Sequence, residues 1–215
     1  RAHVVQKADA KTILPATEKS AGRTSGLVAH PRLGKLQYVA ADYHQFGGEN
    51  NLGNALYISQ LEKWFQADNK NRKLKAIYTY VKKGSVTQDL IDYNILHCDK
   101  NTGLLLNQWN IKAEVPEIFK LLPGGVGENK PSQLDSFIRF SVEIPGDPEP
   151  SLWLDPVMWD CWIHYCTSLK SLKGFCFVSG QNTYLADQHP AKIRNNGDKA
   201  KLISPNDNSG FTFRG

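Results

Sequence analysis

The run Ile138-Arg139-Phe140-Ser141-Val142-Glu143-Ile144 sets an apolar side chain at every second position with polar ones between. Successive side chains of an extended chain point to opposite faces, so 138–144 predicts a strand with one buried face. Pro145 to Pro150 ends it. On its N-terminal side, Leu74, Ile77, Tyr78 and Val81 fall at i, i+3, i+4 and i+7, the stripe of an amphipathic helix over 71–82. On its C-terminal side, Asp155-Pro156 opens a helix. Asp is a favoured N-cap, and proline suits the first helical position because the N–H it lacks would be orphaned there. Met158, Cys161, Trp162, Tyr165, Cys166, Leu169 and Leu172 form that helix's apolar side, and Lys173-Gly174 its stop. Helices and strands mix without strict alternation and without an internal repeat. The predicted class is α+β, a mixed sheet with several packed helices.

The rest of the chain fills in around these elements. Residues 1–22 are polar and aperiodic, an extended or mobile opening segment ahead of an α+β body over 23–215. Leu36-Gln37-Tyr38-Val39-Ala40 predicts a strand, and 43–51 a polar loop pivoting on Gly47-Gly48. Helices are expected over 52–65, with Leu52, Leu56, Leu61, Trp64 and Phe65 sharing a face, and over 86–96, where Ser85 and Gln88 suggest a capping box. A short strand at 103–108, a helical turn at 116–122, a loop at 123–127, a buried strand at 175–178 and two further strands at 202–203 and 211–213 complete the reading.

With 215 residues, 40% of them hydrophobic, the chain can bury a real core. No stretch approaches the ~20 apolar residues that cross a bilayer, and no signal-peptide pattern opens it. The chain starts at Arg1 without methionine and stops inside a β-like run, which reads as a fragment of a longer protein. Cys98, Cys161, Cys166 and Cys176 are too few and too irregular for a disulfide scaffold, so reduced thiols in a cytoplasmic protein are expected. The net charge of +5 is unevenly spread. Residues 1–39 and 60–84 each hold seven Lys/Arg against two Asp/Glu, 173–215 hold six against three, and 85–172 hold six against twelve. A phosphate-contacting surface leaves such asymmetry; so does an ordinary solvated face.

Motifs for catalysis are sparse. No Walker loop, HExxH, GxSxG or paired CxxC occurs. Cys161, His164 and Cys166, with His97 and Cys98 to complete a set, are the sharpest metal candidate. Two small apolar residues on an amphipathic helix explain the same cysteines without a metal. Ser179, Asp187, His189 and Asn195 suggest a metal-dependent nuclease only loosely, because that chemistry needs a histidine base and further ligands placed together. The expectation is therefore a protein that is not an enzyme and holds no metal or cofactor.

Two stretches resemble the large subunit of the type I-C CRISPR Cascade surveillance complex. Gly174-Phe175-Cys176-Phe177-Val178-Ser179-Gly180, then Gln188-His189-Pro190-Ala191-Lys192-Ile193-Arg194 and Ser209-Gly210, is similar to one block of that family. Arg23-Thr24-Ser25-Gly26-Leu27-Val28 followed by Gln37-Tyr38-Val39-Ala40 is similar to another. Pro31-Arg32-Leu33-Gly34 stands where the family has Phe/Leu-Trp, Ala40 or Ala41 where it has glycine, and 42–172 aligns thinly.

The resemblance implies the N-terminal part of a non-catalytic subunit that recognises the protospacer-adjacent motif in double-stranded DNA. It also implies help with unwinding, with R-loop stabilisation and with recruitment of the helicase-nuclease. The implied partners are target DNA, guide RNA, other Cascade subunits and the helicase-nuclease, with no membrane. It assigns motif reading to Arg23, Thr24, Ser25 and Gly26, with Ser25 at the contacting position. Glycine lets backbone approach a groove, and hydroxyl and guanidinium groups can read its edge; a plain tight turn needs the same residues. Lys35, Lys70, Arg72, Lys73, Lys192, Arg194, Lys199 and Lys201 are the candidate phosphate contacts. Lys82 and Lys83 also complement a helix dipole. An assembly module that binds guide RNA or neighbouring subunits, and a metal-dependent nuclease, are the competing readings.

Overall fold

The structure is a computed structural model that describes residues 1–5, 15–21, 26–49, 52–124, 130–177, 179–185 and 195. Among these residues the fold is α+β, with seven α-helices and five short strands. The chain divides into two units, Arg1–Leu14 with Pro31–Asp155 and Pro15–His30 with Pro156–Gly215. The sequence reading drew its one boundary at residue 22.

The first unit is built on a three-stranded antiparallel sheet. Strand β1 (Ala2–Val4) and strand β2 (Gly34–Lys35) flank strand β3 (Phe137–Phe140), in the order β1-β3-β2. Ala2 faces Phe140 and Val4 faces Ile138 on one side, while Gly34 faces Ile138 on the other. Ile138 and Phe140 are buried as the alternation requires. Arg139 is buried too, because the Trp153 ring covers its guanidinium at 3.8 Å from the centroid, a cation–π contact. The predicted strand stops at Phe140. Beyond it the pairing thins to the Ser141 N–H bond to the Arg1 carbonyl, a Ser141–Ser151 bridge and the Val142 N–H bond to the Pro150 carbonyl, and the chain turns at Gly146.

The expected strand at Leu36–Ala40 is instead a short helix, α2 (Leu36–Val39). Leu36, Tyr38, Val39 and Ala40 are all buried, and an apolar run buried on every side carries no period that separates strand from helix. The strand pairing falls on the two residues before it. Helix α3 (Gly53–Ala67) buries Tyr57, Leu61 and Trp64 at i, i+4 and i+7. Leu52 and Leu56 lie off that stripe, Leu52 with 72% of its surface exposed. Helix α4 (Arg72–Lys83) buries Leu74, Ile77, Tyr78 and Val81 as its period predicts. The Asn71 side chain caps its start by accepting from the Leu74 N–H at 3.0 Å, and Gly84 in the left-handed region closes its end.

Helix α5 (Val86–Asp92) is shorter than expected, and its cap comes from far away. Ser85 makes no side-chain capping bond. The Asp42 carboxylate accepts the Thr87 N–H at 3.1 Å and the Gln88 N–H at 2.9 Å, which satisfies two orphan donors and places a negative charge at the helix's positive end. Helix α6 (Glu117–Leu121) matches the helical turn read at 116–122. The strand expected at 103–108 reduces to a single Cys98–Leu105 bridge.

Lys73 faces inward at the start of α4. An ammonium removed from water costs several kcal/mol unless its donors are met. Its three N–H groups reach Asp155 Oδ2 at 2.6 Å, Asp147 Oδ2 at 2.8 Å and the Glu149 carbonyl at 2.7 Å. Burial alone would lower its pKa, but the hydrogen bonds to Asp147 and Asp155 outweigh that and raise it. The hydrogen bond from Lys73 in turn holds the Asp147 carboxyl below the usual range.

The second unit holds helix α1 (Glu18–Ala21), helix α7 (Pro156–Ser168) and a hairpin of strands β4 (Lys173–Cys176) and β5 (Gln181–Tyr184). Met158 and Trp162 of α7 are buried, and Trp162 Nε1 donates to the Ala16 carbonyl at 3.2 Å. The helix ends at Ser168, so Leu169 and Leu172 are not part of its apolar side but exposed. Lys173 and Gly174 belong to β4, where Lys173 pairs with Tyr184 and lies over its ring. The strand read as buried at 175–178 is observed only as the end of β4: Phe175 and, just past the strand, Phe177 are exposed, Phe177 with 94% of its surface, Cys176 is half-buried, and Val178 lies outside the described residues. The strands read at 202–203 and 211–213 lie outside the described residues.

Two stability predictions follow from the first unit. Lys73→Met leaves two carboxylates without their cation and lowers unfolding free energy by about 3–5 kcal/mol at neutral pH, read by urea denaturation. Asp147's depressed pKa contributes stability above the ordinary carboxylate range and loses it as pH falls through the folded value. The deficit of the variant therefore shrinks in acid. Asp42→Ala costs about 1–2 kcal/mol in the same assay, and Asp42→Asn, which keeps one acceptor, costs less.

Candidate nucleic-acid interface

Lysine and arginine serve a polyanion only where their heads reach solvent. Lys70 in the turn between α3 and α4, Arg72 at the first position of α4 and Lys75 one turn on are all exposed. This places three cations within six residues at a helix start, where the peptide N–H groups also point outward. Lys35 is exposed at the end of β2 and lies 3.2 Å from Asp135. An exposed pair of that kind contributes little and exchanges readily for another anion.

Lys73 is different. Its ammonium is committed to Asp147 and Asp155 inside the first unit, so it is corrected from a candidate phosphate contact to a structural cation. Lys192, Arg194, Lys199 and Lys201 lie outside the described residues.

Of the glycine loop, Arg23, Thr24 and Ser25 also lie outside the described residues. Gly26 is exposed, with φ of 81°, and nothing lies within 4 Å of where a Cβ would stand. That backbone conformation favours glycine for its own sake, not because neighbours crowd it.

Two clefts open in the first unit on the outer side of β1. One of about 740 Å³ is lined by Ala2, His3, Tyr80, Leu90, Tyr93 and Ile95, with Lys83 and Asp89 at its wall. Asp89 gathers the Ser85 hydroxyl at 3.2 Å and Lys83 Nζ at 3.6 Å. Burial, reinforced by a hydrogen bond to Asp89, pushes the Tyr80 phenol far above its usual value and keeps it protonated. The second cleft, of about 290 Å³, shares His3 and Ile95 and continues past Val4 to His97, Glu117 and Ile118.

His97 is packed against the Trp109 and Phe119 rings at 5.5 and 5.8 Å between centroids. Its Nε2 is buried without a hydrogen-bond partner, and burial lowers its pKa. The fully buried Gln133 side chain fixes this strip. It accepts the His97 N–H at 2.8 Å and donates to the His97 and Leu106 carbonyls at 2.9 and 2.8 Å. No sequence motif announced these clefts or the Gln133 clamp. Their residues come from separated segments of the chain, and a single glutamine carries no spacing that marks it as buried.

The metal and nuclease candidates do not assemble within the described residues. His164 is exposed, with Nδ1 2.9 Å from the Asp160 carbonyl, and Cys161 and Cys166 are half-buried and form no disulfide. His97 and Cys98 belong to the first unit and the other three to the second. Among the described residues no group of three or more His, Cys, Asp or Glu is placed to hold a metal. Ser179 is exposed in the hairpin turn, its N–H 3.4 Å from Cys176 Sγ. Asp187 and His189 lie outside the described residues, and Asn195 is exposed. Among the described residues no helix is long and apolar enough to cross a membrane.

A protein-family model described as CRISPR-associated protein (Cas_Csd1) matches residues 2–215. No curated protein and no solved structure matches the chain.

The covered imidazole gives a direct check on this part of the site. His97 is expected to titrate below the ordinary histidine value of about 6.5 in an NMR pH series. Trp109→Ala, which uncovers the ring, moves it back up. Because the unfolded chain takes the proton more readily, this histidine withdraws stability as pH falls through the ordinary histidine value.

Proposed function

The chain belongs to the CRISPR-associated Cas_Csd1 family, and on that premise we propose that it is a non-catalytic, DNA-reading subunit of a type I-C interference complex. In this reading guide RNA pairs with the target, while the protein reads a short flanking motif in the duplex and helps to open it. It then helps to hold the R-loop and to receive the helicase-nuclease. The observation that carries the reading is the family match across nearly the whole chain.

The geometry adds two supports. Gly26 stands exposed with open space around it and no side chain to hold a groove at a distance, next in sequence to Arg23, Thr24 and Ser25. Lys70, Arg72 and Lys75 present solvent-facing cations at the start of α4, suited to backbone phosphates that position the protein without reading sequence. Lys73 takes no part in this surface. Cutting is left to the recruited nuclease.

Two sets of substitutions in the assembled complex separate the roles. Arg23→Ala with Ser25→Ala is expected to erase the preference for duplex carrying the flanking motif over scrambled duplex, read by competition binding. Lys70→Gln with Arg72→Gln weakens both duplexes alike and reduces the slope of log affinity against log salt by about 2. A complex with the first pair of changes that keeps its full motif preference overturns the loop assignment. Retention of the salt slope by the second pair overturns the phosphate assignment.

A further inference from the structure

In an antiparallel ladder the residues of a strand direct their N–H and C=O groups alternately to one side and the other. The pairing of β1 with β3 fixes which point where. The Val5 N–H donates to the Phe137 carbonyl at 2.8 Å and the Ser141 N–H to the Arg1 carbonyl at 2.9 Å. Odd-numbered residues therefore bond β3, and Ala2 and Val4 direct their backbone groups away from it. β1 is an edge of the sheet. Neither Ala2 nor Val4 has a backbone partner on that outer side among the described residues.

What lies beyond this edge is not flat surface. The two clefts run along it, one bounded by Ala2 and His3, the other by His3 and Val4, with His3 and Ile95 common to both. Their far walls are Leu90 of α5, the 93–97 segment and α6. Tyr80, Leu90 and Ile95 give the larger cleft an apolar floor, and Tyr93, 80% exposed, stands at its rim. A strand added to a sheet lies about 4.8 Å from its neighbour, and its alternate side chains need pockets above and below.

From this geometry we infer that the outer edge of β1 receives an extended segment of a neighbouring subunit as a fourth strand, whose backbone pairs with Ala2 and Val4 and whose apolar side chain fills the cleft over Leu90 and Ile95. The inference rests on the reading of the chain as a subunit of a CRISPR complex and goes beyond it in naming the contact. The occupant is an extended polypeptide because the edge offers main-chain donors and acceptors that repeat every second residue. An extended backbone answers them in register; a phosphate backbone has acceptors only. Addition of an extended segment to an exposed sheet edge is a recurring mode of polypeptide recognition.

The Val4 N–H points outward, so Val4→Pro removes a bond to the added strand and none to β3. Val4→Ala keeps that N–H. The test uses the isolated protein and the same protein mixed with the purified remaining subunits of its complex. Hydrogen exchange resolved to the Val4 amide is followed in both. The expected result is a freely exchanging amide in isolation that slows at least tenfold in the complex. In addition, Val4→Pro incorporates at least tenfold more weakly while Val4→Ala incorporates normally. An amide equally open in both states overturns the inference, even if Val4→Pro proves unable to fold. An amide already protected in isolation also overturns it, by assigning the edge to this chain when protection is independent of concentration and to a second copy when it is not. A protein that does not join the complex overturns both this contact and the subunit reading. One that joins with Val4 open overturns this contact alone.

Discussion

A single buried ammonium sets the terms for the first unit. Lys73 sits on the inward side of α4, beside Leu74 and Ile77, where any cation without partners is untenable. Its three donors are met by groups drawn from a short stretch, Asp147, Glu149 and Asp155. That stretch forms no helix or strand of its own; its backbone is tied to residues 140–142 by the bridge of Ser151 to Ser141 and the bonds of Pro150 to Val142 and Leu152 to Phe140. The ion cluster thus does for an irregular segment what a ladder does for a strand. It fixes residues 147–155 against α4, and with them Trp153, whose ring lies over Arg139 of the central strand. Lys73 and Arg139 are therefore both met by the same piece of chain.

The parts of the fold that were legible are those whose apolar residues lie on one face. Leu74, Ile77, Tyr78 and Val81 predicted α4 correctly because every one of them is buried and their spacing is helical. Ile138 and Phe140 predicted β3 for the corresponding reason. The face of α3 was misread because Leu52 and Leu56 are more apolar than Tyr57, yet Tyr57 points inward and they do not. Leu36–Ala40 was misread because a segment buried on all sides has no period. The hairpin at 173–184 was misread in the opposite sense: Phe175 and Phe177 are apolar and face solvent. Composition registers the hydrophobicity of a residue, not whether the fold supplies it with neighbours.

The candidate site divides along similar lines. Exposed cations such as Lys70 and Arg72 are where a lysine or arginine ordinarily is, so sequence placed them at the surface without difficulty. Lys73 carries the same side chain one position on and faces the other way. Only the acidic residues more than seventy positions later reveal why. The clefts beside β1 were beyond sequence reading altogether. They are formed by the opening residues, by the end of α4, and by segments near 90 and 117, brought together by strand pairing with residues 137–140. What sequence carried well was the family, through short motifs at the two ends of the chain, and the family match spans the middle that those motifs left thin.

The distant cap on α5 bears on the order in which the chain acquires its shape. A seven-residue helix is too short to persist alone in water, and the carboxylate that meets its first amides lies 45 residues earlier in the chain. Between the two run α3 and α4, which can begin from local contacts. α5 can hold only once these have folded back and brought Asp42 to its end, so it joins as a late arrival dependent on loop closure. The wall that α5 lends to the larger cleft through Leu90 therefore depends on a closure between distant parts of the chain.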